Sequence, residues 1–483
     1  MYHRSLALLR ALAALISAAL LCAVPAALAD GDLLPCVTTS MTRAEFWADR
    51  ATEPDAVLAD AAQIEAMNAA CLNCPECCMV NLKKFYPTYD GGAFQRQLLK
   101  GAMKDLSSYL DEDYFNGEAR PVPYGDMAKV FEAIDRAGTS EKQRVRYGIC
   151  VEMADVRAVP TDMLITDDAG DNDYDVLQMS ALRVNEPVVI RAQTADGAWF
   201  YCDSICVSGW VPAKCIAVCA DRREWWTAQR FPAEDALVVT VGKLYLDAAN
   251  VNAAASQRML TMGTVLRRVP GDAYDPAVTN RAAYQNYAVY LPAQGDDGGY
   301  AETIALIPRR GDVHEGYLPL TTRNVLNTAF SMLGDAYGWG GMLGVPDCSL
   351  YIRNIYSCFG LELPRNTVWQ SAMPALKYDL SDMDAEQKAA LLDGLPPCAI
   401  LFFKGHEMLY LGKALGRHYV LSSVSSIRDP QGEGRLRVRG VIVNALEETR
   451  RMNGNTWLED LNLAAIPWQA AETTENTGAE NAA

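Results

Sequence analysis

The stretch Tyr337–Gln370, YGWGGMLGVPDCSLYIRNIYSCFGLELPRNTVWQ, decides how the rest of the chain is read. Its centre is Asp347-Cys348-Ser349, and Pro346 just before it suits the first turn of a helix. Beyond Cys348 the apolar residues Tyr351, Ile352, Ile355, Tyr356 and Phe359 recur at helical spacing, and Gly360 supplies a stop. Upstream, Gly338, Gly340, Gly341 and Gly344 make only loop. The pattern predicts a glycine-rich loop running into a buried helix with a cysteine in its first turn. A thiol there feels the helix dipole and unpaired backbone N–H groups, which favour the thiolate. That is a nucleophile's setting; the competing reading is a buried structural thiol.

A thiolate nucleophile needs a base, and the histidines are only four: His3, His314, His406 and His418. His3 falls in an N-terminal leader and His314 in a loop before the helical segment, which leaves His406 and His418. His406 opens HEMLYLG after the apolar run Ala399–Phe403, so two strands joined by a turn at Lys404-Gly405 are expected. A cysteine at a helix start facing a histidine on a sheet is the papain-like arrangement.

Tyr337–Gln370 followed by LFFKGHEMLYLG resembles the NlpC-type (NlpC and p-sixty) papain-like cell-wall peptidases. More narrowly, it resembles the branch with an N-terminal helical domain and two bacterial SH3-like domains. The motifs DCS, LPRN and GHxMLYLG are specific in combination. The resemblance implies Cys348 as nucleophile, His406 as base and Tyr337 as an oxyanion donor. It further implies Asn366 and Thr367 as binders of the substrate's free amine, with Asp347, Ser349 and Trp339 as further substrate-binding candidates. Trp339 and Trp369 also read as packing residues. The family usually carries an acidic residue at the Asn366 position, so capture of the amine is expected to be weaker here. It also expects a third polar residue late in the next strand. In HYVLSS that position is Ser422. His418, four residues earlier, lies about 13 Å away along a strand and does not replace it without a register shift. No cofactor and no metal is implied.

The whole composition is consistent with such a protein. The 483 residues suffice for several domains. A net charge of −17 argues against nucleic-acid partners and against a basic, wall-adsorbing surface. Residues 1–29 read as a signal peptide: Arg4 and Arg10 precede the apolar run Ala11–Val24, and Ala27-Leu28-Ala29 is a small-residue cleavage site. No later stretch is long and apolar enough to span a bilayer, so an exported (periplasmic or secreted) monomer is expected. Of 14 cysteines, setting aside Cys22 in the leader and Cys348 leaves enough for six bridges. Cys358 and Cys398 read alternatively as buried thiols.

Along the chain, residues 30–148 are expected to form a helical domain, with helical spacing in Glu45–Arg50, Ala56–Ala70 and Ala93–Leu110. Cys71, Cys74, Cys77 and Cys78 lie within it. Paired CxxC spacing suits a metal or iron–sulfur site, but no distant second cluster completes a four-ligand set, so disulfides are the preferred reading. Residues 149–222 read as a first SH3-like barrel, with a turn at Asp196-Gly197 and four cysteines, Cys202, Cys206, Cys215 and Cys219. In relatives this barrel contributes an aromatic to the substrate pocket, which by resemblance would be Tyr201. Residues 235–312 read as a second barrel and 320–468 as the peptidase domain, with a helix at Asn324–Leu333; 469–483 read as a disordered tail. The expected fold is therefore multidomain α+β: helical domain, two small β-barrels and a papain-like α+β domain. The resemblance implies hydrolysis of peptidoglycan stem peptides or muropeptides between γ-D-glutamate and a diamino acid, through a thioester. Two rival classes stay open: a catalytically decayed muropeptide-binding protein, and an amidase or acyltransferase on the same scaffold.

Overall fold

A computed structural model describes residues 33–109, 114–135 and 141–471; the expected leader and nearly all of the expected tail lie outside them. The chain folds as mixed helices and antiparallel sheets. Helices α1 (Ala44–Ala48), α2 (Ala61–Asn73), α3 (Gly91–Ser108) and α4 (Tyr124–Asp135) come first. The helix expected at Ala56–Ala70 starts later. Asp60 accepts a hydrogen bond from Gln63 N–H while the Gln63 side chain answers the Asp60 N–H, a capping box that fixes the start at Ala61. Val57–Ala59 instead pairs as a short strand with Leu320–Thr321.

Residues 33–135 divide their packing between two bodies. Met41, Trp47, Met67 and Cys71 belong to the same buried core as the C-terminal sheet. Ala102, Met127, Val130 and Ile134 pack against Trp199, Trp210 and Leu177 of the first barrel.

That barrel is a seven-stranded antiparallel sheet: β1 (Arg146–Cys150), β2 (Ala154–Arg157), β3 (Gln178–Leu182), β4 (Pro187–Gln193), β5 (Trp199–Asp203), β6 (Ser208–Pro212) and β7 (Ile216–Cys219), in the spatial order β7-β1-β4-β5-β6-β2-β3. The alternation of β5 sorts its side chains by face. Phe200 and Cys202 fill the barrel interior, while Trp199 and Tyr201 turn outward onto α3 and α4. A five-stranded sheet follows, from β8 (Ala236–Val239), β9 (Val265–Arg268), β10 (Asn286–Gln294), β11 (Tyr300–Pro308) and β12 (Val313–Glu315), ordered β11-β10-β9-β8-β12.

The C-terminal body places helix α5 (Thr322–Phe330, begun by the Thr321 cap) and helix α6 (Cys348–Ser357) against a six-stranded antiparallel sheet. Its strands are β13 (Ala375–Asp379), β14 (Ile400–Phe403), β15 (His406–Ala414), β16 (Arg417–Arg428), β17 (Arg435–Ala445) and β18 (Leu463–Ala470), in the order β13-β18-β14-β15-β16-β17. α6 is buried all round rather than on one face, as a central helix between layers must be. The last strand runs through Ala470, so Gln469 and Ala470, expected in the tail, are paired structure.

The expected disulfides are absent: all thirteen cysteines among the described residues are free. Cys150, Cys202, Cys206 and Cys215 fill the first barrel's core and Cys71 and Cys77 the C-terminal core, behaving as small apolar side chains. Nor does any group of His, Cys, Asp and Glu among the described residues hold metal-site geometry.

Candidate active site

Asp347, rather than Pro346, sets the start of α6. It sits at the N-cap, and its Oδ1 accepts from Leu350 N–H at 2.8 Å, satisfying one of the helix's orphan donors. Pro346 therefore stands one residue outside the helix. Asp347 is buried, and Arg365 grips it with two parallel bonds, Nη1 to Oδ1 at 3.2 Å and Nη2 to Oδ2 at 2.8 Å. Gly340 N–H (3.1 Å) and Ser349 Oγ (3.1 Å) donate to it as well. Burial alone would push this carboxyl up, but the Arg365 guanidinium and the hydrogen bonds outweigh it, so Asp347 sits below the usual carboxylate range. Asp347 and Ser349, expected to touch substrate, are thus committed to holding the helix start. Arg365 Nε also donates to Ser180 Oγ on β3 at 2.6 Å, tying the first barrel to the site.

The glycine loop is pressed against the same barrel. Gly340 has φ 61°, and a Cβ there would lie 2.6 Å from Gln178 Cγ and 2.9 Å from its carbonyl oxygen, so only glycine fits.

A cavity of about 700 Å³ opens over the start of α6. Cys348, His406, Tyr337, Trp339, Asn366 and Thr367 line it together with Asp347 and Ser349. Thr367 Oγ1 is 3.7 Å from Cys348 Sγ. His406 and Cys348 face the cavity without a hydrogen bond between them among the described residues, a spacing common in unliganded sites. His406 Nε2 is 3.3 Å from Ser422 Oγ, and its ring packs against Phe403 and Trp457 at 5.3 and 5.1 Å between centroids. Ser422 therefore stands behind the imidazole, outside the cavity lining, where an orienting group belongs. His418 lies elsewhere, between Glu447 (2.7 Å) and Asp393 (2.9 Å).

The resting charge state differs from the expected thiolate. Burial pushes the Cys348 thiol up to about 12, with the Asp347 and Glu407 carboxyls adding to the effect; the Thr367 hydroxyl and the Glu407 backbone amide pull the other way. Burial likewise brings His406 down to about 3, reinforced by Arg451 and opposed by Asp347. Desolvation outweighs the helix terminus here, so the unliganded pair is thiol and neutral imidazole. Tyr337 is raised by burial and by the neighbouring Cys348 and Asp347 charges, which leaves its hydroxyl a neutral donor.

Two expected binders are placed differently. Asn366 Oδ1 caps helix α7 (Thr367–Ser371) by accepting from Trp369 N–H at 3.0 Å, so its amide oxygen is occupied. Tyr201 does not reach the cavity: it packs edge-on against Phe94 (5.4 Å) and Trp210 (5.5 Å), because its strand turns it toward the helices. The aromatic that the first barrel does supply is Tyr174, whose ring lies 4.4 Å from Trp339; Gln178, Met179 and Val207 join it in the lining. The signal for Tyr174 was an aromatic set in the polar loop DDAGDNDYD (Asp167–Asp175), where a side chain has no core to fill.

Residues 334–437 match the NlpC/P60 family, and residues 166–212 match the SH3 domain of SH3b1 type. No curated protein matches the chain. Among solved structures, an NlpC/P60 endopeptidase from Photobacterium damselae subsp. piscicida is similar at 17% identity, covering 88% of this chain and 97% of its own, with a TM-score of 0.68. An NlpC/P60 family protein from Bacillus cereus is similar at 18% identity over 60% of this chain and 82% of its own, with a TM-score of 0.41. The first shares the overall fold. The chain is accordingly a multidomain α+β protein carrying an NlpC/P60 family domain behind an SH3 domain of the SH3b1 type.

Proposed function

We propose that this protein is a cysteine peptidase of peptidoglycan stem peptides, cutting between γ-D-glutamate and a diamino acid. The observation that carries the reading is one cavity lined by both Cys348, at the start of a buried helix, and His406, backed by Ser422. In this reading substrate entry displaces water and draws the thiol and imidazole together. The thiol proton passes to His406 as sulfur attacks the scissile carbonyl carbon. Cys348 N–H and the Tyr337 hydroxyl stabilise the oxyanion. His406 then gives that proton to the leaving amine, and the thioester forms. Water, deprotonated by His406, releases the acyl product and restores the thiol.

The Tyr174–Trp339 pair narrows the cavity lining on the side of the first barrel, which in this reading favours short peptides with a free amine over crosslinked wall. The Thr367 hydroxyl oxygen and the second lone pair of the Asn366 amide oxygen are the proposed acceptors for that amine. We take the domain limits to be 30–148, 149–222, 235–312 and 320–468, and the mature protein to be an exported monomer. No helix among the described residues is long and apolar enough to cross a membrane. Digestion of tripeptide and tetrapeptide muropeptides, read by mass spectrometry, tests the reading. Cleavage by wild type and none by Cys348→Ala supports it. The neutral resting pair favours a second reading, a muropeptide-binding protein without turnover. Binding with no cleavage in the same assay would establish that one.

A further inference from the structure

The charged residues lining the cavity over α6 are Asp347, Arg365, Lys404 and Arg451. Asp347 and Arg365 grip each other and hold the start of α6, so neither is free for a ligand. In a chain of net charge −17, the uncommitted charges left in the lining among the described residues are both cationic, Lys404 and Arg451.

Arg451 is fixed in place. It opens the tight turn 451–455, where its N–H donates to the Asn455 carbonyl at 2.9 Å. Its Nη1 donates to Asp460 at 2.7 Å and its Nη2 to the Lys404 carbonyl at 3.2 Å, while the guanidinium carbon lies 4.4 Å from the centre of the Phe403 ring. Those bonds occupy two of a guanidinium's five N–H groups. The others have no partner among the described residues, and the side chain is 32% exposed. Asp460 lies outside the lining and is shared with the side-chain amides of Asn453 (3.0 Å) and Asn455 (2.7 Å). Lys404 is exposed, and its ammonium has no ion-pair partner among the described residues. Even with Asp460 counted, this corner keeps a positive charge. A held guanidinium with spare donors suits a carboxylate, and a nearby ammonium adds a point charge.

Position decides which half of the substrate this corner serves. Thr367 stands beside the sulfur, at 3.7 Å, whereas Phe403, on which Arg451 lies, packs against the His406 ring at 5.3 Å. In the peptidase reading the acyl half, with its free amine at Asn366 and Thr367, occupies the sulfur side. His406 protonates the leaving amine, so the departing residue lies past the imidazole, toward Arg451 and Lys404.

We propose that Arg451, assisted by Lys404, determines specificity by forming a carboxylate subsite for the leaving residue. The inference rests on the peptidase reading for the half of the substrate it assigns. Two carboxylates have the required chemistry: the main-chain terminus of a peptide that ends at the leaving residue, and a carboxylate ending that residue's side chain.

The test compares kcat/KM of the full-length protein for three peptides L-Ala-γ-D-Glu-X. X is lysine amide, lysine with a free terminus, or meso-diaminopimelate amidated at its main-chain carboxyl. The D-glutamate carboxylate is constant across the set. At least one of the two carboxylate-bearing peptides should be cut about tenfold more efficiently than the lysine amide, and which one it is names the source. Arg451→Gln should bring that ratio to within about threefold of unity, and Arg451→Lys, which keeps the charge without the fork, should retain part of it. Partial unfolding lowers turnover of all three peptides alike and leaves the ratio in place. Equal turnover of the three by wild type overturns the proposal, as does a ratio that survives in Arg451→Gln. If that variant does not fold, Lys404→Gln, at an exposed position, decides: its ratio should fall about threefold, and an unchanged one overturns the proposal. Calorimetric binding of the same peptides to the Cys348→Ala protein reads the discrimination without chemistry. Tighter binding of a carboxylate-bearing peptide there, with no cleavage by wild type, would refute the peptidase reading alone; equal binding of all three overturns the subsite.

Discussion

Cys348 and His406 line one cavity, and burial governs their resting state. Because the thiol sits near 12 and the imidazole near 3, no ion pair is preformed at neutral pH. The unliganded protein's thiol should therefore alkylate slowly at pH 7 and faster with each step toward alkaline pH. A preformed thiolate–imidazolium pair would give a rate flat across that range. Cys348→Ala should lower turnover of muropeptides by at least about 10³-fold. Ser422→Ala frees the imidazole to rotate and should cost about 10- to 100-fold in kcat with little change in KM, measured on the same substrate. Cys348 and His406 were legible as candidates because DCS and GH each read locally, while the place of Ser422 came from the family resemblance. The burial of Glu407 was not legible, because its residue type suits an exposed strand position.

At the scale of elements, α6 begins where it does because Asp347 is locked to Arg365, and the lock reaches Ser180 on the first barrel. Arg365→Met leaves a buried carboxylate unpaired and should cost about 3–5 kcal/mol in urea denaturation, since one partner's charge then stands alone. A second tie joins the loop before β3 to β17. Arg437 pairs with Asp168, and Arg439 pairs with Asp171 and, at 3.2 Å, Asp173. That tie holds Tyr174 over the cavity. Tyr174→Ala should raise KM for short muropeptides several-fold while leaving thermal stability within about 0.5 kcal/mol, and steady-state kinetics with a melting curve checks both. Strand alternation sorts Trp199, Phe200 and Tyr201 onto two faces but does not say which face the helices take, and neither face reaches the cavity. That choice depends on α3 and α4 packing outside the barrel, a tertiary fact absent from the periodicity.

Across the whole molecule, the mix of helices and antiparallel sheets was readable from composition shifts and turn signals, whereas the packing of the N-terminal helices was not. These helices looked like one unit because their spacing is uniform. Their apolar faces nonetheless join two different cores. The cysteine count misled for a related reason: number and compartment suggest bridges, but only placement decides, and these thiols fill apolar space. Trp47 is fully buried and lies 5.2 Å from Tyr419 on β16. Trp47→Ala should cost about 3–5 kcal/mol and unfold the C-terminal body along with α1, seen as a single earlier urea transition.

The long reach of that packing has a kinetic side. Asn68 donates to the Gly360 carbonyl at 2.8 Å and accepts from Glu362 N–H at 2.8 Å, and Tyr419 donates to the Cys36 carbonyl at 2.7 Å. Segments this remote in the chain close late, because their loop entropy must be overcome before the contacts form. As a ribosome releases the chain, α1 and α2 emerge hundreds of residues ahead of their partners and have to wait uncovered. Such a chain brings its two ends together last.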